Sequence, residues 1–65
     1  MNNTKRILTP VGHKAIMLMR DAGIPHQSRE QSDYLWAVDV ILAQKWETPE
    51  DEAQALQEAS HWVGR

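Results

Sequence analysis

Cysteine is absent from this 65-residue sequence, so neither a disulfide framework nor a thiolate zinc site can staple its core, and the redox compartment leaves no trace. Glycine occurs only three times. The motifs that depend on it are missing: there is no Gly-x-Ser-x-Gly nucleophile elbow and no glycine-rich phosphate loop. His-Glu-x-x-His is missing as well, and a chain this short has difficulty enclosing a pocket that shields catalytic groups from water. These absences point away from catalysis and call for no cofactor. No apolar run approaches the roughly 20 residues that span a bilayer, and no charged-then-apolar leader precedes the first helix. A soluble, cytoplasmic protein is the expectation.

What is present describes a small globular chain. Apolar residues make up 42% and charged residues 25%, which is too apolar for a disordered tail and ordinary for a folded domain. A chain of this length buries only about 60% of the surface its unfolded form exposes, which limits stability to about 3–5 kcal/mol. Net charge is −2 and unevenly spread: residues 1–20 hold Lys5, Arg6, Lys14 and Arg20 with no acid, whereas residues 21–65 hold nine acids against Arg29, Lys45 and Arg65. Such a dipolar distribution orients a molecule on a charged partner or on a second copy of itself.

The punctuation falls at helix ends. Thr9-Pro10 supplies an N-cap followed by proline at the first helical position, so a first helix runs from there to about Asp21 or Ala22. Gly23 takes the left-handed conformation that ends it, Ile24 folds back on the last turn, and Pro25 prevents continuation. Ser28 with Gln31 fits a capping box and places the start of a second helix, which extends to about Glu47. Thr48-Pro49 repeats the first start signal. Glu50, Asp51 and Glu52 then sit where the helix dipole favours carboxylates, and a third helix runs to about Val63. The only strand candidate is the short Lys5-Arg6-Ile7-Leu8. The expected fold is all-α, a small three-helix bundle or orthogonal three-helix domain, with a basic N-terminal arm (residues 1–8) and a single helical domain (residues 9–65).

The expected core combines Val11, Ala15, Leu18, Met19 and Ala22 with Leu35, Val38, Ile41 and Leu42, closed by Leu56, Ala59 and Val63. The alanine-rich third helix is expected to contribute little burial on its own, with Trp62 as its anchor. The second helix is unusual in carrying apolar side chains on two faces. Tyr34, Val38, Ile41 and Leu42 fall on one stripe, with Leu35 at its edge, while Trp36, Val40 and Ala43 fall roughly opposite. A helix of a small domain buries one stripe, so the second calls for another cover: more of the domain, a second copy, or a partner.

Polar residues add no catalytic constellation. His13, His26 and His61 lie in three segments without an i, i+4 pair, so no metal site is expected. Asp33 and Asp39, six positions apart, stand roughly 120° apart around a helix and set its register rather than forming a dyad. A DNA-binding reading is the alternative: the first two helices as a helix-turn-helix, Gln27, Arg29 and Gln31 offered to base edges, and Lys5 and Arg6 reaching phosphates or a minor groove. Glu30 and Asp33 on that face, and the acidic chain as a whole, argue against it.

The residues left after the core is assigned favour a protein–protein interaction module. Met17, Trp36 and Val40 are the expected contacts, with Asp33, Asp39 and Glu47 as their charged surround. The partner is either a second copy across a two-fold axis or a larger protein, which the module would regulate or inhibit. Accessory proteins of bacterial viruses and mobile elements, which act on nucleic-acid-handling complexes, form a class of small acidic helical proteins of this kind.

Overall fold

Threonine before proline begins two of the three helices. The computed structural model describes residues 8–65, and in it α1 spans Pro10–Ala22, α2 Gln31–Leu42 and α3 Pro49–Val63. Thr9 Oγ1 accepts a hydrogen bond from the Gly12 amide at 3.0 Å, and Thr48 Oγ1 accepts from the Asp51 amide at 3.1 Å. Each thus satisfies a first-turn donor that has no partner inside its helix. Both helices end on a left-handed glycine, Gly23 at φ 82° and Gly64 at φ 78°. Beyond α1, the Ile24 amide returns to the Met19 carbonyl at 3.1 Å and the Gly23 amide to Arg20 at 3.0 Å. This folded-back ending carries the Ile24 side chain, 3% exposed, into the core.

The second helix is shorter than its sequence suggests at both ends. It begins at Gln31, with Glu30 as a cap that makes no side-chain hydrogen bond, and not at Ser28. The Ser28 hydroxyl instead accepts from the Glu30 amide at 3.3 Å. Residues 27–29 are recruited elsewhere: the Gln27 and Arg29 amides each donate, at 2.7 Å, to the Trp62 and Val63 carbonyls at the end of α3. Carbonyls that a helix C-terminus leaves without partners are satisfied in this way. The arrangement holds Gln27 at φ 61° and Arg29 at φ 63°, a left-handed conformation costly for residues with a side chain. At its other end α2 stops at Leu42 rather than near Glu47. There the Trp46 indole folds back and donates to the Ile41 carbonyl at 2.7 Å.

The three helices form a bundle in which α3 packs against both of the others. Its core comprises Ala15 and Met19 of α1, Ile24 of the link that follows, Ala37 and Ile41 of α2, and Ala55, Ala59 and Val63 of α3. The alanines of α3 are not a weakness. Small residues let helices approach closely: a Cβ at Gly12 would lie 3.2 Å from Glu58 Oε2 across the α1–α3 contact. Val11, Leu18, Ala22 and Leu56 pack around this centre, half-buried, as their spacing predicts.

The inward face of α2 is not the one its apolar spacing predicts. Leu35 and Leu42, assigned to the core, are 54% and 49% exposed. Val40, assigned to the outer stripe, packs half-buried against the core cluster. The inward face centres on Ala37, with Tyr34, Val40 and Ile41 around it. Counting only large apolar residues places the face wrongly. With a methyl group at its middle, α2 lies close to its neighbours and its two leucines turn outward. Trp62 fulfils its expected role as an anchor, its indole donating to the Ile24 carbonyl at 2.8 Å.

Candidate protein-interaction face

Each turn of α2 that places Ala37 and Ile41 inward places other apolar groups outward. Leu35, Trp36 and Leu42 remain about half exposed, Trp36 at 43%. Trp36, Leu42, Asp39, Val40 and Ala43 line a shallow hollow open to solvent. Asp39 is exposed and contributes the only charged group of that hollow. Along the 12 residues of α2, Asp33 and Asp39 are the only ionisable carboxylates, and there is no lysine or arginine. The face is therefore apolar with a negative bias.

The aromatic rings differ in how they are occupied. Lys14 Nζ lies 4.7 Å from the centre of the Trp46 ring, and the Arg65 guanidinium lies 5.9 Å from that of Tyr34. His26 meets Trp62 edge to face, with ring centres 4.9 Å apart. The indole N–H groups of Trp46 and Trp62 each donate to a backbone carbonyl. Among the described residues, Trp36 has neither a cation, nor a ring, nor a hydrogen-bond acceptor against its indole.

The remaining candidate residues are dispersed. Met17 is half-buried on α1, where its sulfur accepts from Arg20 Nη2 at 3.2 Å; it does not line the hollow beside Trp36. Asp33 is half-buried in the first turn of α2. Glu47 is exposed in the connection to α3 and borders a separate recess with Trp46 and Pro49. Lys5 and Arg6 lie outside the described residues. Gln27 is committed to α3 through its amide and through Nε2, which donates to the His61 carbonyl at 3.2 Å. Arg29 is pinned at its backbone next to Val63, and Gln31 is the exposed first residue of α2. Residues 23–30 between α1 and α2 also form a link far longer than the roughly three or four residues of a helix-turn-helix.

A second recess lies where the α1–α2 link meets α3, between Ile16, His26, Glu58, His61 and Trp62. Glu58 is 6% exposed there, the one buried charged group among the described residues. No three His, Cys, Asp or Glu side chains among the described residues are grouped to hold a metal ion. Among the same residues, no helix is long and apolar enough to cross a membrane.

The sequence signal for the exposed leucines was present but small. Ala37 sits one turn before Ile41, and an alanine at the centre of an inward face marks close packing as surely as a leucine marks bulk. Comparison with protein-family models, with curated proteins and with solved structures gives no match for this chain.

Proposed function

We propose that the protein is a protein–protein interaction module that docks through the outward face of α2 and regulates or inhibits a larger partner by occupying its surface. The observation that carries this reading is that Leu35, Trp36 and Leu42 stay half exposed on a helix whose other side fills the core. In a chain with so little apolar surface to spend on a core, leaving three large side chains in water favours contact over stability. Tryptophan is moreover the residue type most enriched among interface anchors. The reading is of binding and not of catalysis. The DNA-binding alternative draws less support, because Gln27 is engaged with the end of α3 and because the link between α1 and α2 is longer than a helix-turn-helix allows.

The test separates surface from core. Trp36→Glu and Leu42→Glu are expected to keep the helical circular-dichroism spectrum and to shift stability by less than about 1 kcal/mol, as exposed substitutions do. They should abolish capture of the partner that the unaltered chain retains. A collapse of the thermal midpoint in both variants would make the face structural and refute the reading.

A further inference from the structure

We propose that the α2 face recognises a cationic segment of its partner, and that the hollow formed by Trp36 and Asp39 seats an arginine side chain. The inference rests on the docking role of α2 and names the chemistry of the occupant. Three observations converge on it.

The first is the unmatched ring. In this protein the exposed faces of Trp46 and Tyr34 are each met by a cation of the same chain, at 4.7 and 5.9 Å, whereas Trp36 is met by none of the described residues. A cation over an indole face gains roughly 0.5–2 kcal/mol, according to how much water is excluded. The second is the carboxylate. Asp39 lies on the same hollow as Trp36, one turn further along the helix. Val40, Ala43 and Leu42 supply apolar walls. An apolar trough with one aromatic face and one carboxylate suits a side chain with a methylene stem and a planar charged head: the stem lies on Leu42 and Ala43, and the guanidinium stacks on Trp36 and pairs with Asp39. Arginine fits better than lysine because it stacks and donates in a plane at once.

The third observation is the charge of the whole helix, which bears on the rival occupant. A second copy pairing α2 against α2 would bring Asp33 and Asp39 of one copy toward those of the other, with no lysine or arginine on either helix to offset them. Like charges across an interface oppose association, whereas a basic segment meets both carboxylates with opposite charge. Three half-exposed side chains also make the centre of a modest interface rather than half of an obligate dimer, whose interfaces bury roughly 2,000 Å² or more in total.

The experiment uses the full chain and three synthetic amphipathic helical peptides with the same leucine stripe, flanked by arginine, by glutamine or by glutamate, titrated calorimetrically. The arginine peptide is expected to bind at least tenfold more tightly than the glutamine peptide, with affinity falling as salt rises, and the glutamate peptide not at all. Asp39→Asn and Trp36→Leu should each cut the preference for the arginine over the glutamine peptide about tenfold, and Asp39→Lys should invert the preference. Equal affinity for all three peptides, sensitive to Leu42→Glu, would overturn the cationic partner yet keep α2 as a docking face. Arginine-peptide binding indifferent to Asp39→Asn and Trp36→Leu would overturn the assigned hollow. Failure of every peptide to bind would also overturn it, as would self-association abolished by Trp36→Glu, which would give the face to a second copy.

Discussion

Adjacent residues on α2 have opposite fates, and the contrast can be measured. Ile41 is fully buried in the core and Leu42 is 49% exposed. Ile41→Ala removes buried methyl groups and leaves a cavity, so a loss of about 2–4 kcal/mol is expected in urea unfolding. Leu42→Ala should cost less than about 1 kcal/mol. Equal losses would show that the helix is rotated from the orientation described. Arg29 offers a different lesson. Its backbone is held at φ 63° because its amide caps the end of α3. Local conformational preference has yielded there to a hydrogen bond that α3 needs.

At the scale of the helices, α1 and α3 were legible almost to the residue because each carries its signals locally: a threonine cap, a proline at the first position, a glycine beyond the last turn. The ends of α2 were not, because they are set by tertiary partners. Ser28 and Gln31 spell a capping box, but the end of α3 takes the amides of residues 27 and 29. Trp46 likewise closes α2 from four residues beyond its last turn. The outward apolar stripe was legible in Trp36, Val40 and Ala43, which line one hollow, and misread in Leu35 and Leu42, since hydrophobic spacing does not say how close a helix comes to its neighbours. The same coupling of the α1–α2 link to α3 predicts the outcome of Trp62→Phe. It removes the bond to the Ile24 carbonyl at a cost of about 1 kcal/mol. Hydrogen exchange should then quicken at the Gln27 and Arg29 amides, with α1 protection largely kept; unchanged exchange at both amides would place the strength of the junction elsewhere.

For the molecule as a whole, α3 is the shared wall of the bundle, and the link of residues 23–30 is fastened to its end by three hydrogen bonds from Gln27 and Arg29. The three helices should therefore unfold together, with helical signal and tryptophan emission following one urea transition of slope near 1 kcal/mol/M. Two separated transitions would mean that a helix detaches first. The three tryptophans also stand in three surroundings: Trp46 beneath Lys14 with its N–H bonded, Trp62 wedged between His26 and the Ile24 carbonyl, and Trp36 facing water. A soluble quencher reaches Trp36 first, so a segment laid across α2 would shield the one indole that iodide finds most readily. The chain carries its own optical gauge of occupancy, and a titration can be followed without a label.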